Sequence, residues 1–132
     1  MLVDTVNADM KKVVPTVVKF SQTWEKDFST ESLVLKIKEY NSGQFDKVDI
    51  AQATISGRYP QKGFAKNTAC EMLYYIVSGK ASVSLKDGGD FELEPKDAFI
   101  FPVGCLYAVT GDFVALIISS PAWYPEQYEM VE

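Results

Sequence analysis

From Ser32 onward the chain keeps a period of two, and this limits its possible folds more than any other feature. In "SLVLKIKEY", Leu33, Leu35 and Ile37 fall on one side and Lys36 and Lys38 on the other, the alternation of a strand with one covered face. "NSG" follows as a turn. "VDIAQATISGRYP" alternates again through Ile50; Ala51, Ala53 and Ile55 leave its parity open, and Gly57, Pro60 and Gly63 break it into a loop. Further extended segments are predicted over 70–77, 80–86, 91–93, 98–101, 106–109 and 113–119, with Gly79 as the turn of a hairpin between the first two. "DGGD", "EPKD" and "TGD" separate the others. Many short strands at near-even spacing predict an all-β antiparallel sandwich or barrel.

Before Ser32 the pattern differs. Val3, Val6, Met10, Val13 and Val17 recur near helical spacing, with Asp4 placed to cap and Pro15 placed to stop. A short helix to about residue 13 and then an extended arm are expected, with Trp24 and Phe28 packing the arm onto the core. The domain reading is an arm over 1–31, a barrel over 32–120 and a tail over 121–132 packed on the barrel. Trp123 and Tyr124 would lay that tail down; Glu126, Glu129 and Glu132 make its end acidic and solvated.

Composition narrows the chemistry. At 132 residues, folding buries roughly two-thirds of the unfolded surface, so no disulfide or metal is needed to hold a core. There is no histidine. That removes Ser-His-Asp triads, Cys-His pairs and the commonest metal ligand together. Cys70 and Cys105 are isolated, without C-x-x-C spacing, and are expected as small buried hydrophobes. Net charge is −5 and no basic stripe is visible, which argues against nucleic acid. No apolar run approaches a membrane span, and the first residues lack a signal-peptide pattern. A cytoplasmic protein with no membrane partner is expected.

The stretch "KNTACEMLYYIVSG", 66–79, and the stretch "KDAFIFPVGCLYAVTG", 96–111, together resemble the two motifs of the cupin superfamily. The resemblance covers roughly 34–120 and rests on the Gly79 spacing and on Pro102 and Gly104. It implies a small jelly-roll β-barrel, a double-stranded β-helix. The family's metal-ligand positions fall on Lys66, Thr68, Met72 and Tyr107, all substituted, and Lys96 and Gly111 stand for a Gly and an Asn. The resemblance therefore implies the fold without the family's metal: no metal and no cofactor is expected.

Lys66 and Thr68 lie two apart and would share a face; if that parity runs on, Met72, Tyr74 and Ile76 join them, with Tyr107 from the second motif. The barrel mouth would then hold one cation, two phenols, a hydroxyl and a thioether. Arg58 and Tyr59, in the preceding loop, could close over a ligand. The plain alternatives are a rim lysine for Lys66, a core aromatic for Tyr107 and core filler for Met72. Glu71 has the opposite parity and should face out. The leading reading is a metal-independent cupin binding a small anionic or hydroxylated molecule. The alternatives are a metal-free isomerase or lyase using Lys66 and Tyr107 for proton transfer, and a degenerate cupin serving as an assembly module. Leu73, Tyr75 and Val77 make the outer face of one strand apolar as well, so a homodimer is expected.

Overall fold

The structure, a computed structural model, describes residues 14–41 and 43–132; the helix expected up to residue 13 lies outside them. Among the described residues nine antiparallel strands form one curled sheet: β1 (Trp24–Asp27), β2 (Val34–Glu39), β3 (Asp49–Tyr59), β4 (Phe64–Asn67), β5 (Glu71–Leu85), β6 (Asp90–Leu93), β7 (Ala98–Phe101), β8 (Tyr107–Ser120) and β9 (Tyr128–Val131). The all-β jelly-roll expectation holds. No helix among the described residues is long and apolar enough to cross a membrane.

The sheet is organised around β8, which pairs with β3 on one side and β5 on the other. β2 and then β1 continue beyond β3; β7 and β6 pair with successive halves of β5; β4 and β9 pair together. The inner face collects the alternating apolar residues: Leu35 on β2, Ala53 and Ile55 on β3, Tyr74, Ile76 and Val83 on β5, Phe101 on β7, Val109, Phe113 and Ala115 on β8. Ala53, Ile55, Ile76, Val83, Val109 and Ala115 are fully buried. This settles the parity of β3: Ala51, Ala53 and Ile55 face in, whereas Ile50 is exposed.

Two expected turns are not turns. Segments 70–77 and 80–86 are one strand, β5, and 106–109 and 113–119 are one strand, β8. Each finds a single continuous partner in the other, so neither needs to reverse. A bulge at Val77, between Ile76 and Ser78, bends β5. Gly79 (φ +82°) and Gly111 (φ +147°) sit where the two bent strands touch: a Cβ on Gly79 would lie 2.1 Å from the Asp112 carbonyl oxygen, and one on Gly111 2.2 Å from that of Lys80. The glycines permit this approach. The turns at "DGGD" and "EPKD" do form. In the second, Lys96 takes the left-handed φ of +78° at the place where the cupin pattern has Gly, which gives that Gly its reason.

One further expectation is corrected. Trp24 and Phe28 are exposed, not core, because 24–27 is an edge strand rather than a loose arm. In the tail Glu126, Glu129 and Glu132 are exposed, while β9 pairs with β4 and Gln127 is 1% exposed.

Candidate functional site

The curled sheet encloses a cavity of about 890 Å³, lined by Glu39, Asp49, Lys26 and Trp123 and by the phenols of Tyr59, Tyr74, Tyr107 and Tyr128. Met72, Leu33, Leu35, Ile37 and Ile117 add apolar wall; Lys62 and Glu132 also line it. The volume falls within the range of ordinary small-molecule pockets.

Of the residues singled out from sequence, Met72, Tyr59, Tyr74 and Tyr107 line this cavity; Lys66, Thr68 and Arg58 do not. On β4 it is Ala65 and Asn67 that are buried. Lys66 is paired in register with Glu129 of β9, and its Nζ lies 3.6 Å from the Glu129 carboxylate. The expected shared face fails because 68–70 leave the sheet between β4 and β5. Parity is not carried through such a bend: Asn67 and Met72 face in, five residues apart. Thr68 donates from Oγ1 to the Gln127 carbonyl (2.7 Å). Arg58 donates to the Pro60 carbonyl (2.7 Å) and lies over the Phe64 ring. Glu71 is exposed, as expected.

Sequence reading missed Asn67. Its Oδ1 accepts from Gln127 Nε2 (2.8 Å) and Trp123 Nε1 (3.1 Å), while its Nδ2 donates to Met72 Sδ (3.8 Å). Gln127 Oε1 in turn accepts from the backbone N–H groups of Ala69 and Cys70, both at 3.2 Å. This buried network clamps the tail across the barrel and places Trp123 and Tyr128 on the cavity wall. Tyr59 and Tyr128 hydroxyls hydrogen-bond to each other, and that of Tyr107 is in hydrogen-bond contact with Tyr74 and Asn67. Burial raises all four phenols above the ordinary tyrosine range, so they remain protonated hydrogen-bonding groups near neutrality.

Glu39 and Asp49 were also missed; each lies in a polar run, "IKEYN" and "DKVDI", that reads as surface. The β2–β3 register sets Glu39 opposite Ala51, two residues from Asp49 on the same face, which makes the carboxylates diagonal neighbours. Burial, and then the Asp49 charge, raises Glu39 to about 7. Burial raises Asp49 too, against the N–H of Trp123 donating to its Oδ2 (3.3 Å). Asp49 Oδ1 is buried without any hydrogen-bond partner. Both carboxylates also line a second cavity of about 380 Å³, bounded by Trp24, Asn41 and Phe45.

The thiols of Cys70 and Cys105 are raised by burial, against reactivity. Among the described residues no three His, Cys, Asp or Glu side chains are grouped to hold a metal ion. The four positions that correspond to cupin ligands offer a thioether, a hydrogen-bonded phenol and two side chains pointing elsewhere; this donor set does not fit a divalent cation.

No protein-family model matches the chain, and no curated protein matches it. Solved structures do. The Streptomyces nucleoside dehydratase Pac13 has a TM-score of 0.73 at 15% identity, over 90% of this chain and 92% of its own; variants of it have been solved with uridine. KdgF from Halomonas sp. has a TM-score of 0.63 at 17% identity, over 80% of this chain and 94% of its own. A structure from the DMSP lyases RdDddP and RnDddQII has 0.61 at 23%, over 74% and 53%. The likeness is one of fold: this chain is a cupin-like β-barrel.

Proposed function

We propose that this protein binds a small, neutral, hydroxylated organic molecule in its inner cavity, without a metal. One observation carries the reading. Asp49 lines a large cavity beside Glu39, and its Oδ1 is a buried acceptor with no partner, which costs about 1–3 kcal/mol unless a donor reaches it. A guest hydroxyl seated against Asp49 is the donor this reading requires. The protonated phenols and apolar walls of the same cavity suit the body of an organic molecule. An anionic guest is disfavoured: Glu39, Asp49 and Glu132 outnumber Lys26 and Lys62 on the cavity lining, and Lys66, the cation first expected to hold it, faces Glu129. Pac13, with its uridine complexes, shares the fold and has a guest of the proposed chemical kind.

Thermal shift with neutral nucleosides, hexoses and polyols, against carboxylic acids and sugar phosphates, tests this. Neutral compounds should raise the melting temperature. Asp49→Ala should weaken the best of them roughly ten- to hundredfold, the equivalent of a hydrogen bond to a charged group. Lys66→Ala should leave it unchanged. Stabilisation by the acids and phosphates alone would overturn the reading.

A homodimer accompanies this proposal. Register aligns Ile100, Leu73, Ile118 and Ile50 in one row across β7, β5, β8 and β3 on the outer face. Ile100 is 62% exposed. A sheet apolar on both faces calls for a cover on both, and a second copy meeting the same row is isologous. Light scattering should give a dimer that Ile100→Lys converts to monomer; a monomeric wild type at micromolar concentration would refute it.

A further inference from the structure

We propose that the four phenols of the inner cavity form a donor subsite that takes the carbonyl oxygen of a hydroxylated guest. The inference rests on the binding reading above and adds a second functional group to the guest.

Asn67 fixes the first pair of phenols. Its Oδ1 takes two donors, Gln127 Nε2 at 2.8 Å and Trp123 Nε1 at 3.1 Å. An indole nitrogen can only donate, so the amide cannot be turned the other way. Both Oδ1 lone pairs are then used, and the hydrogen bond between Asn67 and the Tyr107 hydroxyl runs from Nδ2 to the phenol oxygen. The second Nδ2 hydrogen goes to Met72 Sδ (3.8 Å). Tyr107 is left to donate, and its hydroxyl is hydrogen-bonded to that of Tyr74. The hydrogen of Tyr74 remains unspent. Both side chains are buried and both line the cavity.

The second pair leaves the same remainder. The Tyr59 and Tyr128 hydroxyls hydrogen-bond to each other; whichever donates, one hydrogen of the two is unspent. Among the described residues these four hydroxyls have no further protein acceptor. Burial keeps all four protonated near neutral pH. The cluster therefore presents two O–H donors to the cavity it lines. A carbonyl oxygen brings two lone pairs and no hydrogen, which matches them. A guest hydroxyl at the same place would add a hydrogen of its own, and its better match is a carboxylate of the same cavity, Asp49 or Glu39. A carboxylate or phosphate would also accept, but the lining carries more acidic than basic side chains. The guest that satisfies both kinds of wall is neutral, with a hydroxyl for the carboxylates and a carbonyl for the phenols.

The test measures binding of matched compounds to the full chain by calorimetry. Hydroxylated cyclic ketones and lactones are each paired with the cycloalkanol or cyclic ether that lacks only the carbonyl oxygen. The carbonyl member should bind roughly tenfold more tightly, the worth of one or two neutral hydrogen bonds. Tyr74→Phe, which removes one oxygen and keeps the ring, should erase most of that difference and leave the affinity for the cyclic ethers nearly unchanged. Lys66→Ala should alter neither. Infrared spectroscopy of a ketone labelled with carbon-13 at its carbonyl supplies a second readout on the wild-type protein, independent of whether any variant folds. The carbonyl stretch should move to lower frequency on binding, as donors polarise the bond. Equal affinities within each pair, or a bound carbonyl whose stretch is not lowered, would overturn the subsite and leave the binding reading intact. If no member of the panel binds, both readings fall.

Discussion

Substituting Glu39 with Gln isolates the energetic consequence of burying this carboxylate, and its sign can be worked out. Glu39 titrates at about 7 in the fold against 4.5 when free, chiefly through burial and next through Asp49. Between those values the native state binds more protons than the unfolded chain, so stability falls as pH rises. The contribution is fully present below about pH 4.5 and is lost as pH passes through about 7. At 1.36 kcal/mol per pH unit the gap corresponds to a ceiling of about 3 kcal/mol. Glu39 is only half-buried, with Lys26 facing it, so solvent screening reduces the expected value to ~1–2 kcal/mol. Glu39→Gln keeps the shape and abolishes the titration. Urea unfolding of both proteins from pH 4.5 to 8.5 measures the effect, with the slope m checked for constancy. The difference curve should favour the variant progressively towards pH 8.5, by ~1–2 kcal/mol relative to pH 4.5. A difference curve flat across that range would refute the reasoning, because it would mean that the carboxylate is as well solvated in the fold as outside it.

Other expectations follow from the same structure. Asn67→Leu strands the buried donors of Gln127 and Trp123 and should cost about 2–4 kcal/mol in chemical denaturation, with a fluorescence change at Trp123 as the tail loosens. Gly79→Ala drives a Cβ into the backbone of Asp112 and Phe113, whereas a Cβ at Gly104, at the same φ of +82°, meets nothing within 4 Å. The first should lose about 3 kcal/mol or more and the second about 1 kcal/mol, compared by melting temperature. Lys96→Gly should stabilise by about 0.5–1 kcal/mol, since it relieves the left-handed strain at φ +78°; a loss of stability would show that the lysine side chain has a packing role. Lys66→Ala removes a half-exposed pair with Glu129 and should change stability by less than ~0.5 kcal/mol in the same assay.

The period of two, the turns at "DGGD" and "EPKD", and the inward sets Leu33–Leu35–Ile37 and Met72–Tyr74–Ile76 were legible in the sequence, because side-chain alternation and turn chemistry act over a few residues. The cupin-like spacing between Gly79 and Pro102–Gly104 was legible for the same reason. What that reading could not carry was parity across an irregular bend. The segment 68–70 turned Lys66 outward and Asn67 inward, and no local signal in "KNTACE" distinguishes the two outcomes. Nor could it distinguish a turn glycine from a crossing glycine, since Gly79 and Gly111 are required by backbone that lies more than thirty residues away in sequence. The candidate chemistry is the clearest case. Glu39 and Asp49 become neighbours through the β2–β3 register, the clamp of Asn67 on Gln127 brings Trp123 and Tyr128 to the cavity they share, and the curl of the sheet removes water from around them. Charge type was written in the chain; desolvation and proximity, which change what a carboxylate can do, exist only once the sheet has closed.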